Sequence, residues 1–196
     1  VVIRNVAAGS LCTRVGVKEG SHLQQPIVEY YFRKQGTTED AQVNEHHIIA
    51  FGWADPYEVE EMIHMAWRVN DYLNGLFAGI GLRLIDFRLE FGRLWGENGE
   101  LYLFLADEIS PDNCRLWDVN TGEKLDRDRF KEDLGNVIEG YQQVAQRLGL
   151  IPKGGIMEGD GINEQVASSL GEIENELARE RGLRVLAKPP FKPRKV

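Results

Sequence analysis

Closely spaced carboxylates are the residues of this sequence best able to do chemistry, and two segments supply them: Asp86-Phe-Arg-Leu-Glu90 and Ala106-Asp-Glu-Ile-Ser-Pro-Asp112. In an extended run side chains alternate between faces, so Ile85, Phe87, Leu89 and Phe91 fall on one side and Asp86, Arg88 and Glu90 on the other. Asn98-Gly99 between two β-type runs signals a hairpin. Taken as a two-residue turn, it sets Glu97 opposite Glu100, and counting back along both strands sets Glu90 opposite Asp107. Opposed side chains have Cβ atoms about 4.5–5.5 Å apart, where two carboxylates repel unless a cation or a proton lies between them. Mg²⁺, which takes one or two protein carboxylates together with phosphate and water oxygens, answers that need and implies a metal–nucleotide site. A solvated hairpin face on which Arg88 neutralises the acids is the other reading of these residues. A bulge at Gly96 would break the register.

A second constellation lies near the start. Arg4 and Ser10 bracket the small-residue turn Ala7-Ala-Gly9, whose backbone N–H groups and neighbouring hydroxyl suit a phosphate, although a glycine turn with one serine is common. The acid-rich loop from Asp107 to Arg115 carries Ser110-Pro111, so ordinary turn formation also accounts for its composition.

These residues need elements to hold them. Val1 to Asn5 reads as a strand and Ser10 as the N-cap of a short helix through Val15. Ile27 to Phe32 reads as a second strand, followed by a mobile polar loop from Arg33 to Ala41 and a short helix from Asn44 to Phe51. Asp55-Pro56 opens a long helix in which Val59, Met62, Ile63, Ala66, Val69, Leu73, Leu76 and Phe77 recur at helical spacing as far as Gly79. Leu82 to Phe91 and Leu101 to Leu105 form the hairpin around Gly96 to Gly99. A second long helix is expected from Asp126, with Leu134, Val137, Ile138, Tyr141, Val144 and Leu148 on its apolar face. Pro152 to Gly171 reads as a linker, Glu172 to Gly182 as a small charged helix and Lys188 to Val196 as a basic, proline-containing end. The expected organisation is therefore α+β, a mixed β-sheet with two long helices over residues 1–151, then a flexible linker and tail over 152–196.

A net charge of −8 is wrong for a general nucleic-acid or anionic-membrane binder, so an anionic substrate must be caught by locally placed arginines. No apolar run approaches the ~18 residues of a membrane span. Cys12 and Cys114 stand far apart, with neither a disulfide framework nor a zinc pattern, and a reducing cytoplasm is expected. Because Val1 already reads as part of a strand, an amino-terminal portion is expected before it.

Taken together, Val2-Ile-Arg-Asn-Val-Ala-Ala-Gly-Ser-Leu11, Val43-Asn-Glu45, Asp86-Phe-Arg-Leu-Glu-Phe-Gly92, Asp107-Glu-Ile-Ser-Pro-Asp112, Arg115-Leu-Trp-Asp118 and Asp126-Arg-Asp-Arg-Phe130 resemble the carboxyl-terminal lobe of the SAICAR synthetase family, in order, from Val1 to about Leu150. The resemblance implies an ATP-dependent ligase of purine biosynthesis. ATP phosphorylates the carboxylate of carboxyaminoimidazole ribotide, and the amine of L-aspartate displaces the phosphate to give SAICAR, ADP and phosphate. It further implies Glu90 and Asp107 as ligands of Mg²⁺ and the nucleotide phosphates, with Arg88 as a third catalytic residue. Arg4, Ser10, Arg115, Asp86 and Lys131 fall on the ribotide side, and Lys34 and Asp40 on a loop that handles nucleotide. A cytoplasmic homodimer is the family expectation.

Two positions depart from the family pattern. Arg88 stands where the family has lysine and Lys131 where it often has arginine, exchanging a point charge for a fork at one site and the reverse at the other. The family's ATP lobe would precede Arg4 and is not part of this sequence. A ribotide-binding or assembly module without nucleotide chemistry is therefore the alternative. A kinase-like phosphotransferase, which leaves the Arg4–Ser10 turn without a purpose, is a third reading.

Overall fold

The computed structural model describes residues 1–33 and 40–152. Lys34, most of the expected loop around it, and the expected linker, small helix and basic end lie outside the described residues. Val1–Ile151 forms one compact unit. In chain order its elements are β1 (Val2–Val6), α1 (Ser10–Val15), β2 (His22–Arg33), β3 (Asp40–Val43), α2 (Glu45–Ala50), α3 (Pro56–Gly79), β4 (Leu82–Arg88), β5 (Phe91–Trp95), β6 (Leu101–Leu105), β7 (Cys114–Asp118), α4 (Asp128–Lys131) and α5 (Val137–Arg147). Among the described residues no helix is long and apolar enough to cross a membrane.

Five strands form an antiparallel sheet in the order β3-β2-β1-β4-β7, and β5 and β6 pair separately. The main core lies against one face: Ile3, Leu82, Leu84, Phe87 and Leu116 of the sheet meet Ala66, Leu73 and Phe77 of α3 and Val144 of α5. Helix α3 starts where expected because Asp55 accepts the Glu58 N–H and Glu58 accepts the Asp55 N–H, both at 2.9 Å, with Pro56 in the first turn.

The sheet expected to be mixed is antiparallel in every pairing among the described residues, and several further expectations need correction. The pairing of β4 with β7 shifts between Leu84 and Asp86, which is a bulge. Ile85 consequently leaves the face shared by Leu84 and Phe87 and packs with Val6 and Ala8 on the other side, so simple alternation along Leu82 to Phe91 fails. The expected strand also breaks at Leu89-Glu90 into β4 and β5.

The hairpin turn is not a two-residue one. Gly99 N–H donates to Gly96 O (3.1 Å), Gly96 N–H donates to Glu100 O (2.8 Å), and Gly99 has φ +82, the pattern of a turn closed by a left-handed glycine and a bulge. Trp95 therefore faces Leu101, Phe91 faces Leu105, and the Ala106 N–H donates to Glu90 O (2.9 Å). Glu90 is thus opposite Ala106, one residue short of Asp107.

Finally, the second long helix is interrupted. Asp133, Gly135 and Asn136 all adopt positive φ between the four-residue α4 and α5. Leu134 and Ile138 are exposed, whereas Val144 is buried. Cys114–Asp118, at the end of the acid-rich loop, where no strand was expected from the sequence, supplies an edge strand of the sheet.

Candidate functional site

The face of the sheet away from α3 is polar, and register explains how. Arg4 of β1 lies opposite Asp86 of β4, and Asp86 lies opposite Arg115 of β7, so one row across three strands reads cation, anion, cation. Arg4 Nη1 and Arg115 Nη1 both donate to Asp86 Oδ2 at 2.6 Å. Glu29 of β2 accepts Arg4 Nε (2.6 Å), the Tyr31 hydroxyl (2.9 Å) and a guanidinium N–H of Arg14 from α1. At the other end Asp128 of α4 accepts Arg115 Nε at 2.5 Å. Arg4, Glu29, Asp86 and Asp128 are each no more than 5% exposed, a depth at which charges persist only when paired and hydrogen-bonded. Burial opposes the charge on Arg115, but Asp86 and Asp128 outweigh it and hold the guanidinium above its ordinary value. Arg4 is held up likewise by Glu29 and Asp86 against the same desolvation.

Arg4, Asp86, Arg115 and Asp128 line a cleft of about 380 Å³ with Gly9, Ser10, Tyr31, Arg88, Arg127 and Lys131. Ser10 Oγ accepts Arg4 Nη2 at 3.2 Å. Gly9 has φ +56, and a side-chain carbon there would lie 2.6 Å from Arg115 Nη2, so the position needs glycine on two counts. The turn's amides, expected to cradle an anion, are partly committed: Ala7 N–H donates to Ser21 O (3.1 Å) and Gly9 N–H to Glu19 (3.3 Å). Side-chain donors in the cleft's lining include those of Arg4, Arg115, Ser10 and Lys131. Lys131, exposed and 4.0 Å from the buried, unpartnered Oδ1 of Asp128, has its pKa lowered by partial burial and then by Arg127.

A second cleft, of about 540 Å³, shares Val2, Tyr31 and Arg88 with the first and is otherwise lined by aromatic and apolar side chains with Arg33, Asp40, Glu58, Glu90 and Arg93. Phe32 and Trp53 stack there with ring centroids 4.0 Å apart. Arg88 Nη1 donates to Asp40 Oδ2 at 2.5 Å and Arg33 Nε to Asp40 Oδ1 at 2.8 Å, which holds the Asp40 carboxyl down at about 2. Arg33 is raised first by Asp40 and more weakly by the fields of Glu90 and Asp107, so one cation feels both hairpin acids.

Among the described residues Glu90 has no ion pair, and Asp107 accepts only the amide of Glu108. No three acidic, histidine or cysteine side chains cluster among them. Carboxylates without an ion pair among the described residues suit a hard cation that takes its remaining ligands from phosphate and water, so the donor chemistry of Glu90 and Asp107 fits Mg²⁺, although the two are not directly opposed across the hairpin.

The structure thus joins Arg4, Ser10, Asp86, Arg115 and Lys131 in one cleft and sets Asp40 and Glu90 in the adjoining one, with Arg88 between. Asp107 lines neither. Sequence reasoning missed Glu29, Tyr31, Arg14 and Asp128. For Glu29 and Tyr31 a signal existed: they alternate with apolar residues in Ile27 to Phe32, which placed them together on the polar face.

An antiparallel sheet backed by helices on one face, with guanidinium groups wedged between buried carboxylates on the other, defines an α+β unit with a charge-paired polar cleft. The model of the SAICAR synthetase family matches residues 1–148, and the chain belongs to that family. The phosphoribosylaminoimidazole-succinocarboxamide synthase of Rhodospirillum centenum is 64% identical over 155 residues, covering 79% of this chain and 60% of its own length. That of Acidiphilium cryptum is 55% identical over 161 residues, covering 82% and 63%. The crystal structure of the Ehrlichia chaffeensis synthase superposes with a TM-score of 0.72 at 45% identity, covering 78% of this chain and 63% of that one. A SAICAR synthetase in complex with ADP gives 0.69 at 40% identity with the same coverage. The chain therefore spans about three-fifths of the length of these relatives.

Proposed function

We propose that this chain is the carboxyl-terminal, ribotide- and metal-binding lobe of an ATP-dependent ligase that joins carboxyaminoimidazole ribotide to L-aspartate. The observation that carries the reading is the Arg4–Asp86–Arg115 row, capped by the Gly9–Ser10 turn, in a chain of this family. The ribotide's phosphate rests on Arg4, Ser10 and Arg115, and Lys131 and Asp86 complete that side. The nucleotide lies toward Asp40, Glu90 and Asp107, and an amino-terminal lobe outside this chain covers its base. ADP in the complex of a 40% identical relative supports ATP as the co-substrate.

A carboxylate is a poor electrophile until one oxygen becomes a leaving group. The γ-phosphoryl group of ATP passes to the ribotide carboxylate and ADP departs. The aspartate amine then forms the C–N bond as the C–O bond to phosphate breaks, and the amine loses a proton. Glu90 and Asp107 would hold Mg²⁺, which would supply neutralisation of phosphate charge. Arg88, fixed to Asp40 between the two clefts, is oriented to meet the carboxylate as it is phosphorylated.

In the full-length protein, aspartate-dependent ADP release in the presence of the ribotide is expected, with a loss of at least about a hundredfold in Glu90→Ala, the scale of removing a group that stabilises transferring phosphate. Near wild-type turnover in that variant would sink the metal assignment. ADP release without ribotide or aspartate would sink the ligase.

A further inference from the structure

The two arginines of the polar face are held in the same manner. Arg4 donates Nε to Glu29 and Nη1 to Asp86 Oδ2, each at 2.6 Å. Arg115 donates Nε to Asp128 (2.5 Å) and Nη1 to that same Asp86 oxygen (2.6 Å). In each guanidinium the remaining corner, Nη2, is turned to one turn of the chain. That of Arg4 donates to Ser10 Oγ at 3.2 Å and to the Tyr31 hydroxyl at 3.3 Å, contacts at the rim of the cleft that a bound anion would share, and that of Arg115 lies where a Gly9 side chain would be, 2.6 Å from the position of its Cβ. Asp86 is the shared inner clamp, and Glu29 and Asp128 are the outer clamps.

We propose that Glu29 and Asp128 are positioning residues that lock Arg4 and Arg115 with their Nη2 groups converging on the phosphate of the ribotide at the Gly9–Ser10 turn. This rests on the ribotide reading above. A free arginine side chain has about 2 kcal/mol of rotamer entropy to lose when it grips an anion. Here that ordering is completed on folding, so binding does not bear it. Charge alone does not explain the arrangement, because Glu29, Asp86 and Asp128 balance Arg4, Arg14 and Arg115 one for one. What the array offers an anion is aimed N–H groups. A lysine can bridge two carboxylates, as Lys124 does with Glu19 and Glu132, but it is a point charge without the planar fork that fixes the direction of the remaining donor.

The two accounts differ in sign. If only charge mattered, replacing one carboxylate by its amide would add a positive charge to the site and tighten phosphate binding. If aim matters, the released guanidinium swings and binding weakens. The test is calorimetric titration of full-length wild type, Asp128→Asn and Glu29→Gln with the ribotide and with the riboside that lacks the phosphate. Each variant is expected to bind the ribotide about tenfold more weakly, on the scale of one charge-assisted hydrogen bond, and the riboside as wild type does.

Tighter or unchanged ribotide binding, or an equal loss with the riboside, overturns the proposal, since a general structural defect would not spare the riboside. If Asp128→Asn does not fold, Asp128→Glu is expected to give the same phosphate-specific loss, because it keeps the charge but displaces the oxygen by a methylene. Binding needs no turnover, so a wild type that holds the ribotide but releases no ADP refutes the ligase and leaves the proposal standing. A wild type that fails to bind the ribotide refutes the proposal.

Discussion

Asp126 takes no part in either cleft, yet it ties the substrate side of the molecule together. Fully buried, it accepts the Leu116 N–H of β7 and the Asp128 N–H of α4, both at 2.8 Å, and so fixes the strand that carries Arg115 to the helix that carries Asp128. Burial pushes its carboxyl up to about 6 from an ordinary 3.8, against the pull of those two amides. Its protonated form is therefore favoured in the native state. Between about pH 4 and pH 6 the native chain holds a proton that the unfolded chain has lost. The resulting stability is complete below the unfolded pKa and disappears as pH rises through about 6, a difference of ~3 kcal/mol. Asp126→Asn cannot titrate and sets an NH₂ group against one of two buried donors, at a cost of about 1–3 kcal/mol. Urea denaturation at pH 4 to 7 should show the variant less stable than wild type at pH 4, with the gap narrowing toward pH 7. A gap that widens with pH would show that Asp126 is ionised in the fold.

At the scale of elements, what could be read in advance was what neighbouring residues decide among themselves. Asp55-Pro56 and the apolar repeat to Phe77 specified α3, and Asn44 capped α2 by accepting the His47 N–H. Removing the Asp55 side chain should accordingly cost ~1 kcal/mol, seen as a thermal midpoint lowered by about 2–5 °C. An unchanged midpoint would mean that Glu58, held also by Arg93 at 2.5 and 2.8 Å, keeps the helix start in place alone.

What could not be read was set by contacts between segments distant in sequence. The β4 bulge exists where Asp86 must face both Arg4 and Arg115 while Phe87 stays in the core. The break before α5 follows from α4 being tied to β7 through Asp126. In the hairpin the same Asn98-Gly99 pair serves a two-residue or a longer turn, and only the Gly96 N–H to Glu100 bond decides between them. The site was legible in its residue types, Arg4, Ser10, Asp86 and Arg115, because the family motifs carry them. The pairing of its outer carboxylates was not: strand alternation put Glu29 on the polar face, but only the register of β1 with β2 sets it against Arg4, and only the packing of α4 sets Asp128 against Arg115.

For the whole molecule the question is which part of the proposed ligase this chain would supply. Its main core draws on β1, α3, β4, β7 and α5, all within Val1–Ile151, so burial sufficient to hold the sheet is closed within that unit. Every proposed phosphate contact and both outer clamps belong to it as well. The side proposed for the nucleotide is different in kind. Among the described residues it offers the anionic Glu90, Asp107 and Asp40, in a chain of net charge −8, and Arg33 and Arg88 are already paired to Asp40. A nucleotide triphosphate approaching these residues meets repulsion unless metal accompanies it and other chain supplies donors and a base pocket. Calorimetry on this chain should therefore find the ribotide bound in the micromolar range and Mg-ADP at least about a hundredfold more weakly, a difference of ~2.7 kcal/mol. Micromolar Mg-ADP binding by the chain alone would refute the division of the ligase into a ribotide lobe and a separate nucleotide lobe. Weak binding of both ligands would instead mean that the ribotide cleft is finished only when the second lobe closes over it.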